Sequence, residues 1–199
     1  MHPDDFKAPH AGGIIRTAQG YHAFVPAPLP PALEYPQPLV RLLSAADAAL
    51  SELSGLGRIL PNPHLLIAPY IRREAVLSSR IEGTRTSLSD LLADEAGQPP
   101  HAPPDDVHEV RNYVVALDYG IERLKALPLS LRLVRELHQR RMQGVRGERA
   151  TPGEFRRSQN WIGPYGSTPA NAPYVPPPPA EMHDALAAWE TFLHSRGEL

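Results

Sequence analysis

Cysteine is absent from all 199 residues. That excludes a disulfide framework, thiol catalysis and thiolate metal sites, and it fits a reducing compartment. Long apolar runs are absent too; none approaches the ~18 residues of a membrane-spanning helix. A basic field is missing. Twenty Lys and Arg stand against 22 Asp and Glu, a net charge of −2. Charge therefore gives no support to a nucleic-acid partner. The N-terminal run Met1-His2-Pro3-Asp4-Asp5-Phe6 is acidic and has no hydrophobic signal core. The expected setting is the cytoplasm, by default, with no membrane partner. What remains is ordinary for a globular chain: 42% hydrophobic and 21% charged. The length suits one domain, or one and a half.

Proline is the residue in excess: 24 of 199, more than twice the usual ~5%. The prolines cluster in 26–38, 99–104 and 173–179. Between them lie long periodic stretches, the distribution of linkers between helices. Residues 1–38 read as an extended, Pro-rich segment lying over a surface. Residues 39–104 read as a first helical region and 105–199 as a second. Leu39, Leu42, Leu43, Ala46, Leu50 and Leu53 mark one helical face, with Gly55 and Gly57 as its end. His64 to Glu82 is again helical, and Pro69 either kinks it or starts a new helix. A short helix is expected over 87–95, with Ser87 and Asp90 as a capping box. Asp106 and Glu109 form a second such pair. Val107, Val110, Val114, Leu117, Ile121 and Leu124 follow at helical spacing. After Pro128, Ser130 caps another helix. Residues 154–179 mix polar and β-prone types and predict a small hairpin, with arms near 160–163 and 173–175. A last helix starts near Pro179. The predicted fold is all-α with one small β-hairpin.

Nine histidines invite a metal site, but none forms H-E-x-x-H or a helical i, i+4 pair with a third ligand. His138 reads as a hydrogen-bonded packing residue. No phosphate-binding glycine loop and no G-x-S-x-G is present. Arg140-Arg141 and Arg156-Arg157 read as solvated faces. No catalytic residue and no metal ligand is assigned. The informative run is Ser78-Ser79-Arg80-Ile81-Glu82-Gly83, of the form [ST]-x-x-x-E-[GN]. Gly83 is a C′ stop, so Glu82 sits in the last turn of a helix. There the dipole disfavours a carboxylate by roughly 0.3–1 kcal/mol. Ser78 lies four residues earlier, on the same face. One reading is a solvated Glu at a frayed end. The other is a charge kept for an external cationic partner.

Ser78–Gly83 resembles the inhibitory helix of Fic proteins, adenylyltransferases that modify other proteins. The resemblance runs from about 30 to 195. It includes Glu74–Thr84, Glu109-Val110-Arg111-Asn112-Tyr113 and Pro152-Gly153-Glu154-Phe155-Arg156. It continues through Ser158-Gln159-Asn160-Trp161-Ile162-Gly163 and Tyr174-Val175-Pro176-Pro177-Pro178. The family's catalytic signature, H-x-F-x-[DE]-G-N-G-R-x-x-R, does not occur in these residues. In relatives it follows the helix that begins here near Pro179. The resemblance thus implies the regulatory front half of a Fic fold, truncated before the catalytic loop.

In the complete enzyme the resemblance implies ATP and Mg²⁺ as cofactors, neither expected to bind well to this chain alone. It implies transfer of AMP to a hydroxyl of an unidentified target protein. It makes Ser78, Glu82 and Gly83 inhibitory. Glu82 would pair with the second arginine of the signature, and Ser78 would hydrogen-bond Glu82 or that arginine. Asn160, Trp161, Ile162, Gly163, Tyr174 and Val175 would form a target-binding flap. Further expected partners are a second copy of the chain or the catalytic half. The alternative is a non-catalytic module acting on a partner in trans.

Overall fold

The computed structural model describes residues 6–31, 34–146, 148 and 150–195. Their order is β1 (Gly12–Arg16), β2 (His22–Pro26), α1 (Gln37–Ile59), α2 (His64–Ile81), α3 (Leu88–Glu95), α4 (Pro104–Arg123), α5 (Leu131–Arg141) and α6 (Pro179–His194). The all-α expectation with one small sheet therefore holds. The chain divides into two compact units. One holds the described residues before 34, residues 129–132 and those from 154 onward; the other holds 34–128 and 133–153. No helix among the described residues is long and apolar enough to cross a membrane.

In the second unit, α2 packs on α4, and α3 on both. Their shared core is Ala75, Val76, Leu91, Val110 and Val114, with Ile71 and Tyr113 against it. The predicted capping box is present. Asp90 N–H donates to Ser87 Oγ at 3.1 Å, and Ser87 N–H donates to Asp90 Oδ2 at 3.0 Å. Asp90 also accepts from the amides of His101 and Ala102 at 2.9 and 3.3 Å. The Ser87 hydroxyl and these amides hold its carboxyl down to about 2, from 3.8.

Several sequence expectations give way here. α1 runs through Gly55 and Gly57 to Ile59, because a glycine only permits a stop and no left-handed residue follows either one. α2 continues through Pro69, so of the two alternatives there the start of a new helix falls away. Asp106 does not cap α4. Pro104 already starts the helix after Pro103, and Asp106 accepts the Arg85 amide at 2.8 Å instead. On α4, Val107, Val110 and Val114 are buried as expected, but Ile121 and Leu124 are about half exposed. The buried side moves to Ala116 and Gly120, where a Cβ on Gly120 would meet Leu137 Cδ2 at 2.9 Å.

In the first unit, the segment expected to be irregular folds into the antiparallel pair β1–β2, with Ile14 opposite Phe24. Ile14, Ile15, Phe24 and Val25 carry β propensity. The reversal uses Gly20 at φ +90°. The hairpin expected at 160–175 reduces to one bridge, Ile162 with Tyr174. Pro173, Pro176, Pro177 and Pro178 lack the N–H groups that would extend it. The two features join: Phe24 N–H donates to Val175 C=O at 2.9 Å. Ala23, Ala172 and Val175 are fully buried beneath them.

Candidate functional site

The C-terminus of α2 is built as its sequence predicts. Gly83 adopts φ +99°. Its N–H bonds Arg80 C=O at 3.0 Å, and Thr84 N–H bonds Ser79 C=O at 3.1 Å. This pair of bonds is a Schellman motif and fixes the chain's exit from the helix. Glu82 is the C-cap residue and is exposed. Its carboxylate has no hydrogen-bond or ion-pair partner among the described residues. Ser78, expected to hydrogen-bond Glu82 or the arginine of the signature, does not bond Glu82. Its hydroxyl donates to Glu74 Oε1 at 2.7 Å, one turn back. Ser79, which carried no assignment, is the buried serine of the run, at 3% exposure.

Glu82 stands at the rim of a cleft of about 470 Å³. Ser79, Thr84, His138, Arg141 and Arg146 are among the residues that line it. Thr84 is 5% exposed, and its Oγ1 has no hydrogen-bond partner among the described residues. His138 Nδ1 accepts Gly153 N–H at 2.8 Å, so its ring proton sits on Nε2. The packing role expected of His138 is what that bond supplies. Gly153 itself has φ +84°, and Arg135 Nε donates to its carbonyl at 2.6 Å. Arg146 Nε donates to Glu109 Oε1 at 2.9 Å, and its Nη2 lies 3.8 Å from Asp106 Oδ1. These acids, Glu109 first, hold the Arg146 guanidinium above its usual range. Arg141 lies over the Tyr113 ring at 5.1 Å. The Arg141 backbone is held by Asn112, whose Nδ2 donates to Arg141 C=O at 3.2 Å and Gln143 C=O at 2.7 Å. Asn112 thereby caps α5 from α4. Glu109 neutralises Arg146, which leaves the Glu82 carboxylate and the Arg141 guanidinium as unlike charges facing one cleft.

Of the cleft residues, only Glu82 is given a functional role by the sequence; His138 reads as packing and Arg141 as part of a solvated face. Arg141 was visible only as half of an Arg-Arg pair, and nothing in the linear order brings it to Glu82.

The expected flap residues lie in the first unit. Ile162 N–H donates to Tyr174 C=O at 2.9 Å, and Tyr174 N–H to Ile162 C=O at 3.3 Å. Ile162 is 68% exposed and Trp161 40%. Val175 is fully buried, so it serves as an anchor for this segment and not as a contact surface. A Cβ on Gly163 would meet Ser167 Oγ at 2.6 Å and Pro173 Cδ at 2.9 Å, so the segment leaves little room for a side chain there. Gln159 Nε2 ties the segment to Pro176 C=O at 3.0 Å.

A family model described as "Fic/DOC family N-terminal" matches residues 40–122, the stretch that holds α2 and Glu82. Residues 40–122 are thus similar to the N-terminal region of Fic/DOC family proteins. A Fic family protein from Desulfovibrio desulfuricans G20, solved at 2.70 Å, is similar in structure, with a TM-score of 0.63 and 18% identity. The similarity covers 85% of this chain and 49% of that one. At this identity it speaks for the fold alone. The present chain thus corresponds to about half the length of that Fic protein.

Proposed function

We propose that this chain supplies the inhibitory helix of a self-inhibited Fic protein, one that transfers AMP from ATP to hydroxyl side chains of target proteins. The observation that carries the reading is the Glu82 carboxylate. It is exposed and unpartnered among the described residues, at the rim of a cleft. It also occupies the end of α2 where the helix dipole disfavours an anion. Local helix stability gives no reason for it, but an incoming guanidinium does. In the complete enzyme that guanidinium belongs to the catalytic signature. Its capture by Glu82 removes a phosphate ligand and leaves ATP poorly aligned for in-line attack. The Schellman turn holds Glu82 at the rim. Ser78 acts on the helix by tying it to Glu74, not on Glu82 itself.

The described residues bring together no group of three metal-ligating side chains. The segment around Ile162 and Tyr174 would receive an extended piece of the target by main-chain pairing. The chain alone, incubated with labelled ATP, Mg²⁺ and a cell lysate, is expected to label nothing. ATP-dependent labelling by the pure chain would contradict a regulatory role. Suppression of a separate Fic enzyme by the added chain would instead favour action in trans.

A further inference from the structure

α1 buries none of its residues. Leu42, Leu50 and Leu53 are 65–68% exposed, and Leu39, Leu43, Leu56 and Leu60 are 37–51% exposed. These leucines share one arc with Ala46, Ala49 and Gly57. The arc is broader than the two-position seam of a coiled coil. Arg41, Asp47, Glu52 and Arg58 all lie off it.

The arc has a symmetry of its own. About the midpoint between Ala49 and Leu50, every member reflects onto another member. Leu39 reflects onto Leu60, and Leu43 onto Leu56. The inner pairs set large against small: Leu42 with Gly57, Leu53 with Ala46, Leu50 with Ala49. A two-fold axis through that midpoint would bring two antiparallel copies together, with each leucine opposite a small residue or another leucine. An isologous interface asks for such self-complementarity, in which residue i meets j and j meets i. Large-against-small pairing also lets the helices approach closely.

We infer that α1 is a homodimer interface, and that its partner is α1 of a second copy of this chain, antiparallel and centred between Ala49 and Leu50. The apolar arc offers on the order of 500 Å² per copy. Two copies therefore bury about 1,000 Å² in total, the lower bound for a specific interface.

The absence of native cysteine makes the test clean. Ala49→Cys places two thiols beside the axis; Leu60→Cys places them at opposite ends of the helix pair. Under mild oxidation, Ala49→Cys is expected to yield a covalent dimer and Leu60→Cys is not. In sedimentation, wild type is expected to run at twice 21.9 kDa and Leu53→Glu at 21.9 kDa. Because Leu53 is exposed in the single chain, Leu53→Glu is expected to keep its far-UV circular dichroism. A wild type that stays monomeric at about 100 µM overturns the inference. So do equal cross-linking at both positions, which means parallel helices, and a Leu53→Glu dimer. A monomer that binds a different polypeptide through this arc also overturns it and gives the arc to that partner.

Discussion

Leu91 and Leu53 belong to the same compact unit and to the stretch, residues 40–122, that matches the Fic/DOC N-terminal family model. One is fully buried between α2 and α4; the other is 66% exposed on α1. Both lie on helices with a clear apolar side. At α3 the chain itself supplies the covering surface, and Ser87, Asp90 and the amides of His101 and Ala102 lock the segment onto it. At α1 none of the described residues buries the arc. An apolar stripe therefore says that a face seeks cover and says nothing of what provides it.

Truncation is the sharpest way to separate the two regions. Leu91→Ala is expected to cost about 2–5 kcal/mol in denaturant unfolding, through lost transfer energy and a residual cavity. Leu53→Ala, measured in dilute monomer, is expected to stay within about 0.5 kcal/mol. Similar losses for the two would erase the distinction. Next in size is Asn112→Ala. It strips the carbonyls of Arg141 and Gln143 of a buried donor and is expected to cost roughly 1–3 kcal/mol.

A smaller, pH-bound effect follows from Asp90. Its folded carboxyl titrates near 2 against 3.8 when free, so the ionised form is favoured by the fold. The stabilisation is fully present above pH 3.8 and is lost as pH falls toward 2. Melting temperature should drop across that interval in wild type, and Asp90→Asn should flatten the drop. An unchanged slope in Asp90→Asn would assign the acid sensitivity to other carboxyls.

The sequence was most legible where a signal is local. Ser87 with Asp90, the stop at Gly83 and the α4 stripe through Val114 depend on residues within a turn or two of one another, and all three appear. It was least legible where the deciding partner is remote. Asn112 capping α5 is a bond across 29 residues. Arg141 reaches the cleft beside Glu82 only through the packing of α2 and α5 on α4. Ser78 had acids available one turn to either side, Glu74 and Glu82, and helical spacing alone does not choose between them. Residues 12–26 were obscured by the proline cluster that starts at Pro26, although Ile14, Ile15, Phe24 and Val25 are good strand formers. Composition located the linkers there and hid the hairpin beside them.

The central claim is that Glu82 is held at the cleft to restrain catalysis and not to support the fold. It is tested most directly by comparing AMP transfer from labelled ATP by wild type and Glu82→Gly, in a polypeptide that joins this chain to the H-x-F-x-[DE]-G-N-G-R-x-x-R signature. The account predicts a rise on the order of 10²-fold, the scale of a misalignment removed, with the melting temperature nearly unchanged. A large fall in melting temperature with no gain in AMP transfer would contradict it and return Glu82 to a structural role.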